Sequence, residues 1–133
     1  MNNEYKHTKT TVSLINYHFV FCPRYRRKIF KLEGVESRFK ELTLQECNRR
    51  GITILAMECH IDHVHMFVNC LPTQSPASIM KWIKGASSNI LRNEFKELNA
   101  MPGLWTRSYF VSTAGNVSSE TIKRYVDTQK TRP

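Results

Sequence analysis

The sequence predicts an α+β fold of ferredoxin-like, RRM-like form: a split β-α-β antiparallel sheet, helices on one face, and an extra C-terminal helix. Three observations predict it. Runs of β-branched, aromatic and alternating residues at 11–22, 52–59, 63–70 and 104–113 read as strands. Residues 35–50 and a longer stretch from 76 towards 98 carry apolar residues at helical spacing. In chain order the elements run β-α-β-β-α-β, which sets the first and third strands side by side in mid-sheet. The 133 residues suit one domain, 1–133, with a real core.

Each element has a local reason. "TVSLINYHFVFC" (11–22) ends at Pro23, and the basic loop "PRYRRK" follows. Val35, Phe39 and Leu42 mark one face of the first helix, and Gly51 suits its C-terminus. "ITILAMEC" (52–59) and "HVHMFVNC" (63–70) form a hairpin joined by 60–62. Ser75 before Pro76 is a good cap for the second helix, with Ile79, Ile83, Ala86 and Ile90 on one face. "MPG" (101–103) breaks that helix, and "LWTRSYFVST" (104–113) reads as the fourth strand. Gly115-Asn116 turns the chain. Ser118 caps a last helix, "SETIKRYVDTQK", that Val117 and Ile122 would staple.

Composition narrows the function. Hydrophobic residues make up 41% and charged residues 23%, ordinary for a globular protein. Twenty Lys and Arg against eleven Asp and Glu give +9, with a pI near 9.7. Such a surface attracts polyanions, nucleic acid foremost. Arg24, Arg26, Arg27 and Lys28, interleaved with Tyr25, could bind phosphates and stack a base. Lys81, Lys84 and Arg92 are further candidates, and an ordinary solvated charge is the competing reading for each. Cys22, Cys47, Cys59 and Cys70 form no C-x-x-C pair. The chain opens polar, and no apolar run approaches the ~20 residues that span a bilayer. Reduced thiols in a cytoplasmic protein, without a membrane, are expected.

The chemistry concentrates in "CHIDHVHMFV" (59–68). Alternation puts Val64, Met66, Val68 and Cys70 on one face of the third strand and His63, His65, Phe67 and Asn69 on the other. Two imidazoles two residues apart can hold one metal ion, and His18 lies on the neighbouring strand. Two alternatives stand: surface histidines without a chemical role, or a structural zinc site from Cys59, His60, His63 and His65. The zinc site lacks the second separated ligand pair such sites take. On the last helix Tyr125 and Gln129 are four apart and share a face.

His63-Val64-His65 resembles the HUH motif, and "TIKRYVDTQ" resembles the tyrosine helix of the single-tyrosine HUH transposases, the insertion-sequence 200/605 group with its TnpA-like and REP-associated relatives. "YHFVFCPRYRRKIF", "ILAMECHIDHVHMFV" and "LWTRSYFVSTAGNVSSETIKRYVDTQ" read like that group's successive blocks. The resemblance implies a single HUH transposase domain. It implies that His63, His65 and Gln129 bind Mg²⁺ or Mn²⁺, and that Tyr125 is the nucleophile. It implies cleavage and rejoining of single-stranded DNA through a 5′-phosphotyrosine, at element ends folded as hairpins. It also implies a homodimer in which the tyrosine helix can serve the partner's histidines. The sequence names no proton acceptor for Tyr125; Asp62 and Glu58 lie beside the histidines in sequence, and neither is assigned the role. A non-catalytic RNA- or DNA-binding module of the same fold, or a metal-dependent nuclease without a covalent intermediate, are the competing functions.

Overall fold

The computed structural model describes residues 5–113 and 119–133. A short hairpin, β1 (Lys6–His7) with β2 (Val12–Ser13), precedes the main domain. Then come β3 (Ile15–Phe21), α1 (Val35–Arg50), β4 (Thr53–Cys59), β5 (Val64–Cys70), α2 (Pro76–Glu94), β6 (Phe110–Ser112) and α3 (Ser119–Thr128). The sheet order is β4-β5-β3-β6, antiparallel throughout, so the first and third strands of the predicted pattern hold its centre. The predicted first strand is shorter than 11–22, because Val12 and Ser13 pair with the N-terminal hairpin instead.

Helix ends follow their caps. Gly51 adopts φ 72, a left-handed conformation that needs no Cβ, and Ile52 N–H donates to Cys47 O at 2.9 Å to close α1. Ser75 Oγ accepts from Ser78 N at the start of α2. The buried face of α2 is rotated from the predicted one. It runs Ile79, Met80, Ile83, Ser87 and Leu91, and Ile90 is exposed. Ser87 is buried because it is satisfied: its hydroxyl donates to Ile83 O and accepts from Trp105 Nε1 at 3.0 Å.

Trp105 sits beside the end of β3. Its ring packs against Phe21 and Phe39 at ring-centroid distances of 5.1 and 5.4 Å, and its backbone makes an isolated antiparallel bridge to Pro23, with Thr106 N–H donating to Cys22 O at 3.0 Å. Of the predicted 104–113, Phe110–Ser112 alone forms a strand. Gly115, Asn116, Val117 and Ser118, with the turn, cap and staple read from them, lie outside the described residues.

The sheet has two different faces. Phe19, Phe21, Val64, Met66, Val68 and Cys70 meet Val35, Phe39 and Leu42 of α1 and Ile79, Met80, Ile83 and Leu91 of α2 in one apolar core. The other face carries a second, small cluster of Val20, Cys22 and Val126, flanked by Phe110 and Tyr125. Val126 is how α3 docks there. β4 contains a bulge between Ile54 and Ala56, after which Met57 pairs with Met66 and Glu58 with His65.

Candidate functional site: a histidine cleft beneath the last helix

The second face of β5 holds the histidines. Val64, between His63 and His65, is fully buried in the main core, so its two neighbours point the other way. The turn between β4 and β5 is tight: His60 N–H donates to His63 O at 2.8 Å. It lays the His60 ring parallel on His63, centroids 4.4 Å apart, and edge-on to His65 at 5.0 Å. One nitrogen from each of His60, His63 and His65 lies within 4.8 Å of the others. His18, on β3, is buried and stacks on Phe67 at 4.4 Å, with His65 at 5.7 Å.

A carboxylate orients the cluster. Asp62, 7% exposed, accepts from His63 Nδ1 at 2.9 Å and from Arg26 Nε at 2.9 Å. A carboxylate only accepts, so the His63 proton sits on Nδ1 and the Nε2 lone pair is left free. Burial would raise the Asp62 carboxyl, but hydrogen bonds from His63 and Arg26 overcome it and hold it below its ordinary value. Burial, helped by the neighbouring imidazoles, pushes His65 down to about 4, and burial also lowers His63. Both rings are neutral at physiological pH, the state in which imidazole binds a cation.

Arg26 reaches Asp62 because the chain bends sharply before it. Tyr25 and Arg26 have φ 58 and 52, left-handed values unusual for residues with a Cβ. Arg26 also contacts Asp127 on α3 at 3.4 Å. The sequence placed Arg26 among free phosphate-binding cations; the structure makes it a strut between the histidine turn and the last helix. No spacing rule would have found that, since the left-handed pair has no sequence signature.

Arg26, His60, His63 and His65 line a cleft of about 380 Å³, closed on the helix side by Lys123, Val126 and Asp127. Tyr125 and Gln129 do not line it. Successive helical residues step by about 100°, so with Val126 docked and Asp127 towards the cleft, Tyr125 faces away. Its hydroxyl contacts Ser108 Oγ at 3.0 Å, and Ser108 Oγ donates to Gln129 Oε1 at 2.7 Å. Gln129 is 2% exposed. Burial pushes the Tyr125 hydroxyl up to about 12, although hydrogen bonding to Ser108 and Thr106 pulls the other way.

The remaining candidates separate in space. Tyr25, Arg27 and Lys28 are exposed, with the Arg27 guanidinium 5.9 Å from the Tyr25 ring centroid. Arg24 is half-buried and reaches Trp105 O at 3.4 Å. Lys84 donates to Thr106 O at 2.7 Å and Ser108 O at 3.1 Å, and burial pushes it down to about 8. Arg92 donates to Met101 O, whereas Lys81 is exposed. Cys59 packs on the main core and stands outside the histidine group, which removes the thiol from the structural-zinc alternative.

A model of the family described as "Transposase IS200 like" matches residues 11–129. The chain belongs to the IS200-like transposase family. The family makes it a DNA transposase, an enzyme that cuts and transfers DNA. It is 35% identical over 119 residues to the transposase for insertion sequence element IS200 of Salmonella typhimurium, covering 85% of this chain and 75% of the relative. It is 27% identical over 129 residues to the ISDra2 transposase TnpA of Deinococcus radiodurans, covering 95% and 91%. A putative transposase from Deinococcus radiodurans superimposes with a TM-score of 0.83 at 24% identity, over 93% of this chain and 97% of that one. A REP-associated tyrosine transposase bound to a REP hairpin gives 0.57 at 13% identity, over 93% and 69%. These two likenesses establish the fold of this IS200-like transposase. Among its described residues no helix is long and apolar enough to cross a membrane.

Proposed function

We propose that this IS200-like transposase, acting as one HUH domain in the cytoplasm, cleaves and rejoins single-stranded DNA at the ends of an insertion sequence, with Tyr125 as nucleophile. The observation that carries the reading is the histidine cleft: His63 and His65 neutral, His63 fixed in one tautomer by Asp62, directly beneath the helix that bears Tyr125. The donor set fits a divalent cation, Mg²⁺ or Mn²⁺, at His63 and His65, with Gln129 the further ligand the family resemblance implies. When bound, the cation supplies positive charge to the phosphate oxygens and orients the leaving oxygen.

The Tyr125 oxygen forms a bond to phosphorus, and the bond from phosphorus to the 3′ oxygen breaks. The phenolic proton departs to a base, and the 3′ oxygen takes up a proton. The products are a 5′-phosphotyrosine and a free 3′-OH. The phosphodiester energy is kept, so the reverse attack rejoins strands without ATP. Tyr125 held at Ser108 is a neutral hydroxyl facing away from its own histidines. That orientation supports a homodimer in which α3 presents Tyr125, and Gln129 with it, to the partner's cleft. One tyrosine holds one 5′ end, and excision needs two. The exposed Tyr25, Arg27 and Lys28 supply stacking and phosphate contacts to DNA, probed with hairpin-ended oligonucleotides, while Arg24 and Arg26 serve mainly within the fold.

Tyr125→Phe keeps the fold and DNA binding and abolishes the denaturation-resistant protein–oligonucleotide adduct; an adduct formed by Tyr125→Phe would sink the assignment. Mixing Tyr125→Phe chains with His63→Ala/His65→Ala chains restores cleavage if sites are shared. A mixture that exchanges subunits and stays inactive means each chain completes its own site.

A further inference from the structure

Resting on the single-stranded DNA reading above, we infer that Lys84, Arg107 and Arg24 form a phosphate site of their own, separate from the histidine cleft, which seats one backbone phosphate of the bound strand. The site is an open cavity of about 380 Å³ between α2 and the segment 103–107, and all three cations line it. Among the described residues none of the three has a carboxylate partner, whereas Arg26, Arg38, Arg49 and Arg50 each have one. Like charges gathered around one concavity repel one another, and an anion between them relieves that repulsion.

Backbone and glycines shape the cavity. Arg24 Nε donates to Trp105 O at 3.4 Å, and a Cβ at Gly103 would stand 2.9 Å from Arg24 Nη2. The bond that ties Arg24 into the fold thus also holds its guanidinium at the cavity wall, where only a glycine lets it lie so close. Gly85 on α2 leaves room, since a Cβ there would meet nothing within 4 Å. Half-buried Lys84 donates to Thr106 O and Ser108 O, and an ammonium has a third N–H to give. Burial pushes it down to about 8, and an anion beside it favours its charged form. Arg107 is exposed and offers the planar fork that matches phosphate oxygens.

The cavity adjoins both other parts of the machinery. Lys84 holds the carbonyl of Ser108, whose hydroxyl contacts Tyr125 at 3.0 Å. Arg24 directly precedes Tyr25, and Arg27 and Lys28 follow it on the same exposed loop. A strand that stacks a base on Tyr25 is therefore one residue of protein chain from the cavity wall, and a basic groove beside a stacking aromatic is how single strands are held. A phosphate within a strand and a free phosphate present the same oxygens, so the test separates them.

Fluorescence anisotropy of a labelled oligothymidine over a salt series reads the contact. Arg107→Gln removes an exposed charge, and Gly85→Glu puts a carboxylate into the cavity from an exposed helix position; Lys84 is left in place because it anchors residues 106–108. Each variant weakens binding and makes the slope of log K against log salt less negative by about 0.7, the value of one phosphate contact on a single strand. Gly85→Ala, which fits, and Lys96→Gln, an equal charge change at an exposed site elsewhere, leave the slope unchanged. If the wild type binds and both cavity variants keep its slope, the inference is wrong and the DNA reading stands. An equal change in Lys96→Gln also overturns it, since net charge alone would then be read. In isotope-labelled protein, oligothymidine shifts the Gly85 and Arg107 amide resonances. Shifts with inorganic phosphate or triphosphate but none with oligothymidine would make the cavity a free-anion site and sink the strand as its source. If the wild type does not bind oligothymidine, the DNA reading itself falls, and this inference with it.

Discussion

The two faces of the central sheet are built from the same strands and held by different amounts of material. On the face of α1 and α2, Phe19, Phe21, Phe39, Met66, Ile79 and Ile83 are all buried to within 1% of completely, and they pack in one continuous core. On the face of α3 the buried apolar set is Val20, Cys22 and Val126. Alternate residues of β3 and the residue after it serve each side: Phe19 and Phe21 one, Val20 and Cys22 the other. The continuous core therefore lies on one face, and on the other a helix held by a small apolar cluster covers the histidine cleft.

The largest effect is on the stable face. Phe39→Ala should cost about 3–5 kcal/mol, by lost burial and a residual cavity between Phe21, Phe30 and Trp105. Urea unfolding measures it; a loss below about 1 kcal/mol would mean the core is less continuous than it looks.

Alkaline pH probes both faces at once. Burial pushes the thiols of Cys22, beneath α3, and Cys47, in the main core, up to about 12. A raised folded value stabilises fully below the unfolded value near 9 and loses that contribution as pH rises through 12. Each thiol then removes about 1.4 kcal/mol per pH unit across that window. Lys84, pushed down to about 8, has the opposite sign: its unfolded ammonium holds its proton to about 10.5, so stability is gained from 8 to 10.5. Cys59, pushed up to about 12, and Cys70, to about 11, add the same sign as the other two thiols, so unfolding midpoints should fall from pH 9 onward, with Lys84 offsetting only part of the loss up to 10.5. A flat profile would contradict the burial of both thiols.

Asp62→Ala tests the chemical face alone. Losing the carboxylate that fixes His63 should weaken cation binding by about 10–100-fold, roughly 1.4–2.8 kcal/mol. Calorimetry with Mn²⁺ reads it, and unchanged affinity would remove Asp62 from the site. The smallest effect tests the fastening. Val126→Ala should cost about 1–2 kcal/mol. It should raise hydrogen exchange in α3 and the labelling rate of Cys22 by a thiol reagent, leaving α1, α2 and Cys47 unaltered. Equal acceleration of Cys22 and Cys47 would show the two faces opening together.

Much of this was legible in the sequence where one local rule decided the outcome. The Gly51 stop and the spacing of Val35, Phe39 and Leu42 give α1 its bounds, and strict alternation assigns both faces of β5. Legibility failed where two distant residues settle each other. Ser87 is buried because Trp105 is near, and the Trp105 ring lies there because Phe21 and Phe39 receive it. Helical spacing joins Tyr125 to Gln129, but it cannot say which side of α3 meets the histidines. Val126 decides that by docking on Val20 and Cys22. Arg26 and His60 depend on turn geometry, which neither periodicity nor residue type reports.

The bulge in β4 acts as a phase setter for everything after it. With Leu55 as the extra residue, Ile54 faces the helices opposite Val68, and beyond it Met57 and Cys59 face them too, while Glu58 stands across from His65. Were Leu55 instead to pair with Phe67 as an ordinary ladder residue, the alternation beyond it would slip by one position. Met57 would then sit across from His65, and the Glu58 carboxylate would be driven among Val64, Met66 and the helices. Deleting Leu55 would do neither, since Ala56, Met57 and Glu58 would keep Phe67, Met66 and His65 as partners; the bulge absorbs one surplus residue and so keeps the carboxylate out of the core and the thioether in it.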